Sequence, residues 1–238
     1  MNREVFFDAI RKPLFRGVLT VEQVAGTEAK LDAFHKAGWP LAWAAYGLAT
    51  SYHETAHTMQ PVAEYGRGRG KKYGIKAGPH GHVYYGRGDV QLTWLANYER
   101  AGKALGINLV KYPDLALDPA VSARIMIDGM GQGWFTGRAN RHYLNGPTPD
   151  YIGARRIING TDRAQLIAGY ARTFEAALRK AGYDSKPDAP SAELVPQAPD
   201  DGTNPPGTLP TGRNPLTPQR QPLSFWQRFR NALKGSRS

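Results

Sequence analysis

The sequence predicts a mainly α-helical domain with a minor β element. Two observations carry that expectation. Apolar residues recur at the 3.6-residue spacing of an amphipathic helix over residues 5–14, 21–34, 41–59, 121–130 and 166–178. Between the third and fourth of these lies a glycine-rich loop, residues 66–88, that also holds several aromatics. A stretch of that length and composition suits a functional loop or a small β-lobe better than a tight connection.

Residues 5–14 read as a first helix, because the apolar patch of the N-terminus is interrupted by acids and bases and no small-residue cleavage site follows it. Residues 41–59 are the most informative element. Pro40 supplies a helix start, and Leu41, Ala45, Leu48, Tyr52, Thr55 and Met59 fall on one stripe that should face the core. The opposite face offers Trp43, Tyr46, Gly47, Thr50, Glu54 and His57. A solvated face is ordinarily rich in Lys and Glu, yet Glu54 is the only formal charge from Pro40 to Gln60. This face therefore reads as the floor of a cleft. A carboxyl group set among aromatic and small residues loses hydration and suits the work of a general acid. Its competing role is a structural ion pair with an arginine from a neighbouring helix.

Glu64 follows beyond Pro61, off the helix and beside Arg67, Arg69, Lys71 and Lys72. Cations there suit a carboxylate that accepts a proton. A proton-donating and a proton-accepting carboxyl are what glycoside hydrolysis needs, and a separation of roughly 6.5 to 9.5 Å would admit a water and invert the anomeric carbon.

The same residues admit another chemistry. HETAH, residues 53–57, matches H-E-x-x-H, in which two histidines one helical turn apart bind zinc and the glutamate is the base of a metallopeptidase. The extended pattern wants Gly and His where this chain has Gln60 and Ala63. No metal is expected, and hydrogen-bonding roles are assigned to His53 and His57.

Residues 186–222 hold 10 of the 18 prolines and almost no large apolar side chains, so they read as a disordered linker between a domain over 1–185 and whatever follows. Extended, such a linker spans about 100 Å. Residues 223–238 read as a short basic amphipathic helix: Ser224 is its cap, Trp226, Phe229 and Leu233 share a face, and Arg228, Arg230, Lys234 and Arg237 carry only positive charge. Contact with an anionic membrane surface is the role such a tail suits, with docking to a partner as the alternative.

Composition narrows the function classes. No run of eighteen apolar residues occurs, so no helix of this sequence spans a bilayer. Cysteine is absent, which excludes disulfides and thiolate chemistry and suits synthesis in a reducing cytoplasm. The net charge of +11 implies attraction to a polyanion: nucleic acid, an anionic membrane or a bacterial wall. A nucleic-acid binder would use the Gly-Arg-rich stretch at 66–72; the motifs below point elsewhere, and no nucleic-acid partner is expected.

YYGRGDVQLTW, residues 84–94, resembles the signature of family 19 chitinases and related phage and prophage endolysins: YYGRG, two variable residues, then QL followed by Ser or Thr. SYHET upstream and RRIING, residues 155–160, downstream resemble two further family segments in the same order, so the resemblance anchors about 110 residues. It implies a lysozyme-like, bilobal helical fold with the cleft between lobes. It also implies Glu54 as the general acid, Glu64 as the base and Thr93 as the hydroxyl that holds the attacking water. Gln91, Asn97 and Asn159 match residues that hydrogen-bond the sugar, and Tyr85 and Trp94 are candidate stacking aromatics. The chain departs from the plant pattern at Asp89 (usually proline), at Ala96 (usually tyrosine) and at Ala56 and His57 (usually glycines). Family members cleave β-1,4 bonds at N-acetylglucosamine units of chitin or peptidoglycan without a cofactor. The charge, the missing cysteines and the absence of a signal-peptide pattern favour an endolysin that is made in a bacterial cytoplasm and acts on peptidoglycan after release, with a monomer as the default expectation. A chitinase is the alternative.

Overall fold

The computed structural model describes residues 1–183; the expected linker (186–222) and basic tail (223–238) lie outside the described residues. Helix α1 (Arg3–Phe15) starts at Asn2, whose side chain accepts from the Val5 amide, and α2 (Val21–Lys36) starts at a capping box between Thr20 and Gln23. Helix α3 (Leu41–Glu54) follows. Two antiparallel two-residue ladders then form the minor β element, β1 (Val62–Ala63) with β4 (Arg87–Gly88) and β2 (Lys76–Ala77) with β3 (His82–Val83). Helices α4 (Leu95–Leu105), α5 (Pro119–Gln132), α6 (Arg141–Leu144) and α7 (Ala164–Lys180) complete the described chain, with 3-10 turns at Pro113–Leu117 and Gly153–Ile157.

All five expected helices are present. Helix α4 was not among them, because the face it buries is Tyr98, Ala101 and Gly102, and two of those residues carry almost no apolar signal. Gly102 is required there: a Cβ would meet the Ile107 carbonyl oxygen at 2.7 Å. The mainly helical class with a minor β element is therefore observed.

Helix α3 is the axis of the core. It packs chiefly on α7, and α1 packs on α7 beside it. Phe34 and Trp39 stack at 4.6 Å and press on α3 at Gly47, where a Cβ would lie 2.7 Å from Phe34 and 2.8 Å from Trp39. Tyr46 stacks on Tyr151 at 6.1 Å. Residues Ala44 to Glu54 are all buried, which corrects the sequence expectation of a two-faced helix with an open cleft floor. Tyr46, Gly47 and Thr50 face protein, and only the C-terminal end of α3 remains to serve a site.

That end also comes earlier than periodicity suggests. The helix stops at Glu54, and Ala56, His57 and Met59 take positive φ of 57°, 69° and 57°, a conformation uncommon for residues other than glycine. The turn is clamped from α2: Gln23 donates its side-chain amide to the His57 carbonyl, and Lys30 Nζ donates to the Met59 carbonyl at 2.9 Å. Gly26 lets α2 approach, since a Cβ there would sit 2.0 Å from the Met59 oxygen.

Candidate active site

Glu54, the last residue of α3, is 6% exposed. Its setting is buried, as expected, but not apolar. Arg155, in the 3-10 turn Gly153–Ile157, places Nη1 2.7 Å from Glu54 Oε1 and is itself 2% exposed. Arg155 is oriented in turn by a bond from Nε to the Asp162 carbonyl at 3.0 Å. The arginine partner weighed as the competing role for Glu54 thus exists, supplied by a turn rather than a helix. It engages Oε1; among the described residues Oε2 makes no hydrogen bond, which leaves that oxygen to meet a ligand.

His53, beside Glu54, is 3% exposed. Burial, reinforced by the Arg155 charge and then by His57 and Arg163, drives its pKa down to about 3, so the ring is neutral. His57 does not share a helix face with it. With α3 ended at Glu54, the His57 ring stacks on Tyr52 at 4.0 Å and 9°. The one-turn spacing that an H-E-x-x-H zinc site requires is therefore lost.

Glu64 directly follows β1 and is also buried. Its amide donates to the Gly86 carbonyl at 2.7 Å, the Tyr73 hydroxyl donates to Oε1 at 2.8 Å, and the Gly86 amide donates to Oε2 at 3.3 Å. Both oxygens are thus held, and the β1–β4 ladder joins the strand before Glu64 to the end of the YYGRG block. Tyr73 is a residue the sequence reading missed. It is brought back by a tight crossing in which a Cβ on Gly74 would lie 1.7 Å from the Gly68 carbonyl oxygen.

The residues of the YYGRG block serve mainly to build this framework. Arg87 donates Nε to Asp114 at 2.7 Å and Nη1 to the Val83 carbonyl and the Tyr98 hydroxyl. Its guanidinium lies 3.5 Å over the Tyr85 ring. Tyr85 is 9% exposed and so offers little surface to a sugar. Gln91, at φ 53°, donates its side-chain amide to the Val62 and Gly88 carbonyls and thereby pins both strands. Thr93 donates Oγ1 to the Gln91 carbonyl at 2.7 Å, which leaves its lone pairs to accept. Asn97 donates Nδ2 to the Thr93 carbonyl at 2.8 Å. Asn159 is exposed at the end of the Arg155 turn. Trp94, 47% exposed, meets Tyr73 edge-on at 5.4 Å.

Asp89, one of the departures from the plant pattern, is fully buried. Oδ1 accepts from Ser51 of α3 at 2.8 Å and pairs with Lys30 Nζ at 2.8 Å, while Oδ2 accepts from Ser122 of α5 at 2.6 Å. One side chain thus ties α2, α3 and α5 to the loop that follows the β element. No sequence signal marks Lys30 as its partner, because lysine at that spacing on α2 reads as solvated.

Residues 35–142 match the family model of glycoside hydrolase family 19, described as chitinase class I. The chain is 35% identical over 95 residues to endochitinase A2 of Pisum sativum, covering 34% of this chain and 29% of that protein. It is 35% identical over 129 residues to chitinase 11 of Oryza sativa subsp. japonica (44% and 49%) and 37% identical over 129 residues to an acidic endochitinase of Petunia hybrida (53% and 47%). The chain spans less than half the length of each of these curated relatives. In three dimensions it resembles chitinase C from Streptomyces griseus HUT6037, with a TM-score of 0.50 and 24% identity over 79% of this chain and 78% of that one. That likeness shows a shared fold, the lysozyme-like helical one expected from the motifs.

Proposed function

From the match of residues 35–142 to the glycoside hydrolase family 19 model, we propose that this protein hydrolyses β-1,4 bonds at N-acetylglucosamine units of a structural polysaccharide by single-step inversion. The observation that carries the reading is the holding of two buried carboxyls. Glu54 is fixed through Oε1 by Arg155 with Oε2 open, and Glu64 is fixed through both oxygens by Tyr73 and Gly86.

In this reading Glu54 gives its proton to the leaving glycosidic oxygen while water attacks the anomeric carbon from the opposite face. Glu64 takes the water's proton, and the net change is addition of one water across the bond. Thr93, whose hydroxyl proton is already committed to Gln91, accepts a hydrogen bond from that water. Asn97 keeps its carbonyl for the sugar, since its amide is committed to Thr93, and exposed Asn159 contributes from the facing turn.

The relatives are endochitinases, which makes chitin the first polymer to test. Peptidoglycan is the second reading, favoured by one observation: the loop beside Glu64 carries no acidic residue from Tyr65 to Gly88. Digestion of N-acetylglucosamine oligomers and of purified peptidoglycan, followed by mass spectrometry, decides between them. New reducing ends are expected from at least one polymer. New free amines without new reducing ends would remove the glycosidase reading.

A further inference from the structure

We propose that the exposed face of residues 65–82 is a docking surface for a glycan strand bearing carboxylates, so that anionic wall glycan is held more tightly than neutral chitin. The inference rests on the glycosidase reading, because it takes the strand docked there to be the one that reaches Glu54 and Glu64. Three observations on this lobe support it.

The first is charge of a single sign. Arg67, Arg69, Lys71, Lys72 and Lys76 lie in a segment without an Asp or Glu, whereas a merely solvated surface ordinarily mixes both signs. Among the described residues none of the five holds an ion pair, in contrast to Arg87, which is committed to Asp114. Their fields therefore point outward unneutralised.

The second is apolar surface beside the charge. Tyr65 is 72% exposed and Ile75 69% exposed, and such surface packs against sugar rings and stem side chains while the cations meet carboxylates. The third is position and stiffness. The lobe leaves directly from Glu64, returns through Tyr73 to bond the same carboxylate, and is braced by the Gly68–Gly74 crossing and the β2–β3 ladder. A strand held on this face is thereby registered against one of the two proposed catalytic carboxyls rather than merely attracted to the protein.

The test reads binding without turnover, using the full chain with Glu54→Gln. Co-sedimentation is measured at low and high salt with four probes: purified peptidoglycan, the same material with its carboxylates chemically amidated, chitin powder, and a DNA duplex immobilised on beads. A variant with Arg67, Arg69, Lys71 and Lys72 all changed to Gln is compared with one in which exposed Lys12, Lys36, Lys103 and Lys180 are changed to Gln. The second variant carries the same net charge, and thermal unfolding checks that both are folded. Native peptidoglycan should bind about tenfold or more tighter than the amidated form or chitin at low salt, with the preference lost at high salt. The lobe variant should abolish that preference and the control variant should keep it. Equal loss in both variants, no effect of amidation, or tighter capture of a DNA duplex than of peptidoglycan would each overturn the proposal. Absence of cleavage in the Glu54 parent would instead count against the glycosidase reading and leave the binding result standing.

Discussion

Lys30 Nζ stands 2.8 Å from Asp89 Oδ1, with both side chains essentially removed from solvent. Lys30 also donates to the Gly26 and Met59 carbonyls, and Asp89 accepts from Ser51 and Ser122. The pair is therefore fully hydrogen-bonded, the condition under which buried charges are tolerated. It holds the strained turn after Glu54 against the segment that carries Gln91 and Thr93.

Removing one partner strands the other charge. Lys30→Met or Asp89→Ala should each destabilise the fold by about 3 to 5 kcal/mol, read as a lower denaturant midpoint at unchanged slope. Changing both together should cost less than the sum of the two. Additive losses would show that the two residues act independently.

Arg155 positions Glu54. Arg155→Gln should lower kcat more than it raises KM, because Glu54 loses the guanidinium that holds its Oε1 at 2.7 Å. Arg155→Lys should restore part of the rate. A variant that is less stable but keeps the parent kcat would reduce Arg155 to a structural role.

Tyr73 positions Glu64 in the same way. Tyr73→Phe deletes the hydrogen bond to Oε1 and leaves the ring against Trp94. A fall in kcat of roughly tenfold, about 1.4 kcal/mol, is expected with little change in thermal midpoint. Unchanged turnover would show that the Gly86 amide alone suffices.

His53 makes stability pH-dependent. Its pKa in the folded state is depressed to about 3 from an ordinary 6.5, chiefly by burial. The unfolded chain therefore binds the proton more readily than the folded one. Its contribution is full above pH 6.5 and is lost as the pH falls toward 3. Urea midpoints measured across that window should fall with pH, and more shallowly in His53→Gln. Parallel slopes in the two proteins would exclude the imidazole as the cause.

How much was legible beforehand depended on where each signal lay. A single acid in an otherwise uncharged helix pointed to Glu54, because a lone charge in an apolar stretch demands a reason. The identity of its partner was not legible, since Arg155 follows Glu54 by 101 residues and sits in a turn without periodicity. The end of α3 was misplaced by five residues because Thr55 and Met59 continue the apolar stripe, whereas clamps from Gln23 and Lys30 on another helix decide where the helix stops. The same misplacement lent H-E-x-x-H its appeal. Tyr85 read as a stacking aromatic because composition cannot show that Arg87 covers its face. Helix α4 escaped because close approach through Ala101 and Gly102 carries no hydrophobic signal.

In the proposed reaction Glu54 donates a proton to a glycosidic oxygen. The direct measurement is digestion of N-acetylglucosamine oligomers and of purified peptidoglycan by the protein and by Glu54→Gln, with reducing ends counted by mass spectrometry. The parent should release new reducing ends, and the variant should bind the same polymers while releasing them at least a hundredfold more slowly, about 2.7 kcal/mol of lost transition-state stabilisation. A folded variant that cleaves at the parent rate would exclude Glu54 as the acid.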